Sequence, residues 1–196
     1  MSAAGKETLL DVGTWSVETP RGPLRGLFHN SVGFGFEATV NERSHRVRGV
    51  KGPLLYVAAL LLSLPRYRNY LVRLTWEGGA HEGSVSLFAA GIGKRVGGCF
   101  RVFPHADRRD GLLDAVYARA MSLPRALALA PRLMRGTHLA APGVTAVRTP
   151  FLRVDAPEGI PLYVDGEFVA GDVHSAELLV LPGRLRSFPR LQVVAR

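Results

Sequence analysis

The sequence predicts a mainly β (α+β) fold in which two antiparallel sheets pack together like a β-sandwich and two helices accompany them. The chain has 196 residues and is 47% hydrophobic, which suits one domain with a sizeable core. Short segments rich in Val, Phe, Leu and Tyr follow one another along the chain, with Gly or Pro between them. Only two segments have a helical pattern instead, so strands dominate the prediction.

The predicted strands are short, and apolar and polar residues alternate along part of each one. Turn residues separate them, which favours antiparallel sheets over a parallel α/β design. They lie at residues 24–40, 69–79, 82–93, 97–106, 112–121, 144–156, 159–171 and 175–188.

Two segments are predicted as helices. Residues 52–68 have Pro53 where a first helical turn tolerates proline, and they continue with apolar residues on nearly every side, which predicts a mostly buried helix. Residues 122–136 begin at Ser122, a plausible N-cap, and end at Gly136, a residue typical of helix C-termini. Pro131 inside this second segment is expected to kink or shorten the helix.

The chain is strongly basic, with a net charge of +9 and a pI of about 10.6. All but three of the 25 basic residues are arginine, and they are spread over the chain rather than collected in a stripe. A G+C-rich coding bias accounts for much of this excess. No zinc-finger spacing or aromatic-rich RNA-binding strand is present, so we expect no nucleic-acid partner. An anionic membrane surface fits the positive charge better.

Cysteine and hydropathy patterns indicate the compartment. Cys99 is the single cysteine, which excludes an intramolecular disulfide and a thiolate zinc cluster and favours a reducing cytoplasm. The apolar run at residues 54–62 is far shorter than the roughly 20 residues that span a bilayer. We expect a cytoplasmic protein, with peripheral contact to the inner face of the membrane as one option.

Two motifs raise the question of a ligand. Gly33 and Gly35 flank Phe34, a pattern that allows close approach of another backbone or of a bound molecule. The run "PHADRRDGLLD" places Asp107 and Asp110 beside two arginines. An Asp-Gly pair in such a loop favours an oxygen cage for Mg²⁺ or Ca²⁺, although the same pair also forms ordinary turns without metal.

A third motif, "YVDGEFVAG", predicts a tight turn between two strands. Asp165 and Gly166 form the turn, and Glu167 follows it at a strand end. A carboxylate in this position is either a solvated hairpin residue or a group presented to a cleft for acid–base chemistry.

The order of these motifs resembles the C-terminal half of the diacylglycerol kinase, sphingosine kinase and bacterial lipid kinase family. "DVG" at residues 11–13, "FHNSVGFGFEATV", "GG" at 97–98, "PHADRRDGLLDAV", "GTHL" at 136–139 and "YVDGE" occur in the family's order between about residue 9 and residue 185. The resemblance implies the C-terminal domain of the NAD kinase/diacylglycerol kinase-like fold. It also implies an N-terminal nucleotide-binding half with a Gly-Gly-Asp-Gly-Thr loop, and these 196 residues contain no such loop. We therefore expect residues 1–196 to form one substrate-side domain that lacks this half.

The resemblance also implies roles for individual residues. Glu167 would be the general base, and Asp11 would reach into the active cleft beside it. Substrate-cleft positions would be Asn30, Gly33, Gly35 and Asp165. Mg²⁺ would bind Asp110 with the carbonyls of Asp107 and Leu112, where it orders the loop rather than taking part in the chemistry. ATP would be the co-substrate, held by the N-terminal half.

Three residues depart from the family pattern. Relatives usually have Asp where this chain has Glu37, Asn where it has Ile92, and Gly where it has Cys99.

The functional prediction is the C-terminal half of an ATP-dependent lipid kinase that acts on a diacylglycerol- or sphingosine-like hydroxyl. The alternatives are a non-catalytic lipid-binding module and a soluble-substrate relative of NAD kinases. Expected partners are a lipid substrate, a nucleotide-binding half in cis or in trans, an anionic membrane and a second copy in a homodimer.

Overall fold

The computed structural model of the protein describes residues 8–44, 49 and 53–187. In this part of the chain, the predicted mainly β, sandwich-like fold is confirmed. Nine strands are present: β1 (Thr8–Thr19), β2 (Gly22–Phe28), β3 (Ser31–Phe34), β4 (Tyr70–Trp76), β5 (Gly79–Gly91), β6 (Leu113–Arg119), β7 (Val144–Thr149), β8 (Phe151–Val164) and β9 (Glu167–Ser187).

Hydrogen bonds connect the strands in the order β2-β1-β9-β8-β3-β5-β6-β7, with β4 paired to both β5 and β8, and every pairing is antiparallel. The long strands β5 and β8 join the layers because each pairs with β4 near its start and with β3 near its end. The main apolar core lies among these strands and includes Phe28, Phe34, Phe88, Leu162 and Leu178.

Strands β8 and β9 each continue across a boundary between two predicted segments, whereas β4 and β6 are shorter than predicted. Irregular residues interrupt the pairing of the long strands. The β8–β9 register shifts between Asp155 and Ile160, where Pro157 cannot donate a backbone hydrogen bond and Gly159 has a φ of 73°. The β1–β9 register shifts at Asp11, opposite Gly183, whose φ is 63°. The turn residues that suggested strand ends are therefore bulges inside continuous strands.

Three α-helices occur in the described residues, where two were predicted: α1 (Phe36–Ser44), α2 (Pro53–Ser63) and α3 (Leu123–Arg135). The prediction of a strand through residue 40 was wrong, because the chain turns at Gly35, with a φ of 77°, and then enters α1. The α2 prediction was right in position, but Leu61 and Leu62 are more than half exposed. Helix α3 continues through Pro131 and ends at Gly136, as expected of its C-terminal glycine.

The predicted strand at residues 97–106 is also wrong. This segment is an irregular loop with one isolated bridge, between Val96 and Phe100. Gly97 and Gly98 both have a positive φ, so the chain folds back on itself instead of extending. Phe103 and Val102 are nevertheless buried, and they form a second small core with Val116 of β6.

We expect Gly33→Ala to destabilise the fold. A Cβ at this buried position would lie 1.9 Å from a ring atom of Tyr163, which packs directly against the glycine. Overpacking of this kind costs about 1–3 kcal/mol, so the melting temperature should fall by several degrees. Gly171→Ala is the control, because its nearest neighbour would be 3.7 Å away. Equal melting temperatures for the two variants would contradict the close packing of Tyr163 on Gly33.

Candidate functional site

The β8–β9 turn is anchored by the side chain of Asp165. This residue has a φ of 50° and Gly166 a φ of 96°, as a tight two-residue hairpin turn requires. The Asp165 carboxylate accepts backbone hydrogen bonds from His29 at 2.8 Å, Asn30 at 2.9 Å and Ser31 at 2.9 Å. One carboxylate therefore fixes the loop between β2 and β3 against the turn.

Glu167 is the first residue of β9 and is paired with Val164 across this turn. Its side chain is exposed. The structure thus places Glu167 where the sequence predicted it, at a strand end two residues beyond the anchored Asp165. Its role as a base remains a prediction.

Asn30 joins the turn to a cleft of about 700 Å³. Its carbonyl accepts hydrogen bonds from the backbone of Ile92 (2.9 Å) and Gly93 (3.1 Å). Its side-chain amide donates to the Arg95 carbonyl at 3.0 Å, and its side-chain oxygen accepts from Arg108 at 3.3 Å. We call this space the basic cleft, defined by Asn30, Lys94, Arg95, Asp107, Arg108 and Arg109. Asn30 therefore lines a cleft, and its role as a substrate-cleft residue remains a prediction.

Asp11 connects the loop at residues 104–112, which we call the acidic loop, to β9. It is only 2% exposed, and its two carboxylate oxygens accept backbone hydrogen bonds from Gly111 and Gly183, each at 2.8 Å. Its own N–H donates to the carbonyl of Arg108 at 2.7 Å. These contacts give Asp11 a positioning role for the loop. Its contact with a reacting group remains a prediction.

The acidic loop is an ordered turn between residues 104 and 112. Asp107 accepts a hydrogen bond from the Arg109 N–H at 3.1 Å, and Asp110 accepts one from the Leu112 N–H at 3.0 Å. Such side-chain contacts to the backbone two residues on are typical of Asx turns. The local structure therefore accounts for Asp107 and one oxygen of Asp110 through turn chemistry alone.

Arg148 of β7 is the counterion of Asp110 in this loop and of Asp114, which follows the loop in β6. Its guanidinium pairs with Asp110, and it lies 3.7 Å from the carboxylate of Asp114. Burial raises the pKa of Asp114, and the nearby Arg148 opposes that effect. No cluster of three or more His, Cys, Asp or Glu side chains in the described residues has the arrangement of a metal site.

The atoms of this loop that could ligate a metal are of the type that a hard divalent cation binds. All of them are oxygens, as Mg²⁺ and Ca²⁺ prefer. The Oδ2 atom of Asp114 is buried and, among the described residues, has no hydrogen-bond partner. A cation here would compete with Arg148 for the same negative charge.

Gly33 and Gly35, the other predicted cleft positions, are buried under aromatic rings. Gly33 faces Tyr163, and a Cβ added at Gly35 would lie 3.1 Å from the ring of Tyr70. Neither glycine lines the basic cleft. The close approach that the glycine pattern indicated is therefore one between protein groups, within the part of the chain that the structure describes.

Tyr163 leads to a residue that the motifs did not single out for chemistry. Its hydroxyl donates a hydrogen bond of 2.7 Å to Oε1 of Glu37, in the first turn of α1. The other oxygen, Oε2, is buried and has no hydrogen-bond partner among the described residues. Burial raises the pKa of Glu37 to about 7, although the Tyr163 hydrogen bond lowers it. The sequence signal was the longer acid in "GFEA", but nothing in the pattern showed that its carboxyl is buried.

Sequence reasoning also missed the basic cleft. Its cationic side chains come from the two ends of the single connection between β5 and β6, and Asn30 comes from the loop between β2 and β3. The signal available was "GKR" at residues 93–95 and "RR" at 108–109, which the scattered arginines concealed.

The fold and the site define a class, the β-sandwich domains of the NAD kinase type. Residues 30–188 match the family model described as the YegS C-terminal NAD kinase beta sandwich-like domain, and the chain belongs to this family. The resemblance inferred from the order of the motifs is confirmed.

Curated relatives carry the name diacylglycerol kinase. Two from Mycobacterium tuberculosis, strains CDC 1551 / Oshkosh and ATCC 25618 / H37Rv, are each 34% identical over 154 residues, which is 78% of this chain and 48% of the relative. One from Staphylococcus carnosus strain TM300 is 26% identical over 127 residues, or 65% of this chain and 42% of the relative. The chain therefore spans about half the length of the curated relatives it matches.

Solved structures agree with the family at the level of fold. A diacylglycerol kinase from Bacillus anthracis str. Sterne has a TM-score of 0.58 at 14% identity, over 96% of this chain and 56% of that one. Yeast NADH kinase complexed with NADH has a TM-score of 0.51 at 9% identity, over 93% of this chain and 43% of that one.

We expect Glu37→Gln to change how stability depends on pH. Between the unfolded pKa of 4.5 and the folded pKa of about 7, the native state holds a proton that the unfolded state has released. The contribution of Glu37 to the stability of the wild type is therefore fully present below pH 4.5 and is lost as pH rises through 7. Glutamine does not titrate, so the free energy of unfolding of the variant should rise relative to that of the wild type as pH rises, by up to a few kcal/mol.

Urea unfolding from about pH 5 to about pH 8 measures this difference. Glu158→Gln is the control, since Glu158 is exposed and should show no trend relative to the wild type. A constant difference between Glu37→Gln and the wild type over this range would contradict a buried, proton-holding Glu37.

Proposed function

We propose that this chain is the substrate-side half of an ATP-dependent lipid kinase, which transfers the γ-phosphoryl group to the hydroxyl of a diacylglycerol- or sphingosine-like lipid. The observation that carries the proposal is the exposed Glu167 on a turn that Asp165 anchors beside the basic cleft. The names of the relatives support a diacylglycerol-like substrate. ATP would be bound by a nucleotide-binding half, in cis or in trans.

The chemistry asked of this half is modest. Phosphoryl transfer needs mainly positioning and charge stabilisation, together with a base that receives the proton of the attacking hydroxyl. Glu167 would accept that proton as the lipid oxygen bonds to the γ-phosphorus and ADP leaves. Because an alcohol is a far weaker acid than a carboxylic acid, the proton moves as the new bond forms rather than before it.

Anchoring of the turn supports this role. Asp165 is held by three backbone N–H groups and by the ring of His29, whose Nδ1 lies 2.7 Å from the carboxylate. The position of Glu167 is therefore fixed by its neighbours, while its own carboxylate stays exposed to a substrate. Pre-positioning of this kind lowers the entropic cost of reaching the transition state.

We further propose that Mg²⁺ binds the acidic loop through Asp110 with the carbonyls of Asp107 and Leu112. When bound there, the ion would neutralise the carboxylates and order the loop. Arg148 already neutralises Asp110 in part, so the ion would have to displace it.

In a kinase assembled from this chain and a nucleotide-binding half, Glu167→Gln should lower kcat about 10²- to 10⁴-fold, because the amide cannot accept the proton. Lipid affinity and melting temperature should stay close to those of the wild type, since Glu167 is exposed. Transfer of labelled phosphate from ATP to diacylglycerol in mixed micelles measures the rate.

Glu158→Gln, at another exposed glutamate, is the matched control and should retain full turnover. If the turnover of Glu167→Gln stayed within a few-fold of the wild type, Glu167 would not be the base and would have only a structural role in the hairpin. Labelling of NAD in place of lipid would favour the soluble-substrate alternative. Lipid binding without turnover in the assembled protein would favour a non-catalytic lipid-binding module.

Millimolar Mg²⁺ should raise the melting temperature of the wild type, because a ligand at about a hundredfold its Kd stabilises the native state by about 2.7 kcal/mol. Asp110→Asn should abolish the shift, and Arg148→Gln should enlarge it by removing the competing cation. Asp172→Asn is the control, since Asp172 is an exposed aspartate outside the loop. A wild type that melts identically with and without Mg²⁺ would remove the site.

A further inference from the structure

We propose that the basic cleft is a phosphate-binding site. The cleft is large enough for a phosphate group with its substituents, at about 700 Å³, and its walls carry Lys94, Arg95, Arg108 and Arg109 against the single carboxylate of Asp107. This inference goes beyond the proposed function, because it concerns binding by this half whether or not phosphoryl transfer occurs.

The charges in the cleft are unbalanced. Asp107 lies 3.6 Å from Arg109 and also accepts the Arg109 N–H, so this pair is locally neutral. Lys94, Arg95 and Arg108 have no carboxylate within ion-pair distance among the described residues. Three cations that share one cleft repel one another unless an anion lies between them.

A second groove on the same protein shows that this imbalance is not general. Arg153 lies there beside Glu177 at 2.9 Å and also pairs with Asp155 at 3.0 Å. Its guanidinium is therefore already satisfied by two carboxylates, although the chain as a whole is basic. The basic cleft differs because its cations are left for an external anion.

The walls of the cleft are fixed before any ligand binds. Asn30 accepts hydrogen bonds from the backbone of Ile92 and Gly93, and its side chain bridges the Arg95 carbonyl and the Arg108 guanidinium. A Cβ at position 93 would lie 2.1 Å from the Asn30 side-chain oxygen and 2.8 Å from Arg108, so a larger residue would displace the Asn30 side chain from this position. Ordered walls reduce the conformational entropy that binding would otherwise cost.

Phosphate fits these side chains better than a carboxylate does. The arginine guanidinium is planar and forms paired hydrogen bonds with phosphate oxygens, while lysine adds a point charge. A phosphate with two negative charges, or a pyrophosphate, also balances more than one of the three unpaired cations. The chemistry is the same for a free phosphate compound and for a phospholipid headgroup, and the experiment separates these sources.

The test titrates the chain with inorganic pyrophosphate by calorimetry, in buffer with EDTA so that no metal contributes. Lys94→Gln/Arg95→Gln should weaken binding about tenfold or more, because charge-assisted contacts to phosphate are lost. Arg21→Gln/Arg25→Gln removes the same charge from the exposed β1–β2 hairpin and should bind within about twofold of the wild type. Melting temperatures check that both double variants fold.

A second arm measures co-sedimentation with phosphatidylcholine vesicles that contain phosphatidic acid. Saturable pyrophosphate binding that competes with the vesicles supports a site that also takes lipid headgroups. Pyrophosphate binding without vesicle binding supports the site for free phosphate compounds. Vesicle binding that needs Lys94 and Arg95 supports the headgroup source. Binding to neither probe, or an equal loss in both double variants, would overturn the proposal.

Discussion

The carboxylate of Asp165 is the contact on which the candidate site depends. Three backbone N–H groups from residues 29–31 converge on it, and the His29 ring lies against it. Hydrogen bonds to an ionised acceptor are about twice as strong as neutral ones, so a single side chain can hold a whole loop. This loop carries Asn30, which organises the basic cleft, and the turn itself carries Glu167. The cleft and the proposed base are therefore tied to one anchor.

Asp11 holds a second loop in the same way, through backbone N–H groups that donate to its carboxylate. Its carboxylate joins Gly111 of the acidic loop to Gly183 of β9, two positions that are far apart in sequence. Both partners are glycines with positive φ, and the bulge in β9 turns the Gly183 N–H toward the carboxylate. Because buried N–H groups need partners, the bulge and the aspartate depend on each other. In this way, the family motifs "DVG" and "DGLLD" become one structural unit.

Sequence patterns predicted the strands best where β-branched and aromatic residues alternate with polar ones, as in β4. They failed in α1, because Phe36, Ala38 and Val40 alternate with polar residues as a strand would, and only the turn at Gly35 redirects the chain. They failed again at residues 97–106, where the apolar residues Val102 and Phe103 suggest a strand, but two glycines with positive φ make the chain fold back.

The candidate site was predictable in part for similar reasons. The turn at Asp165 and Gly166 has a local signature, so the exposed Glu167 could be placed from sequence. The basic cleft has no such signature, because its cations lie at the two ends of the β5–β6 connection. Contacts with Asn30 and Asp11, which are distant in sequence, hold these ends in place.

The most direct test of this account is amide hydrogen exchange in Asp165→Asn. Asparagine tolerates the positive φ of the turn at least as well as aspartate, so the substitution removes the charge and one acceptor while the turn geometry is kept. We predict that the amides of His29, Asn30 and Ser31 exchange about tenfold or more faster, while core strands such as β5 keep their protection. Unchanged exchange at these three amides would show that the loop is held by other contacts, and it would contradict the central role of Asp165.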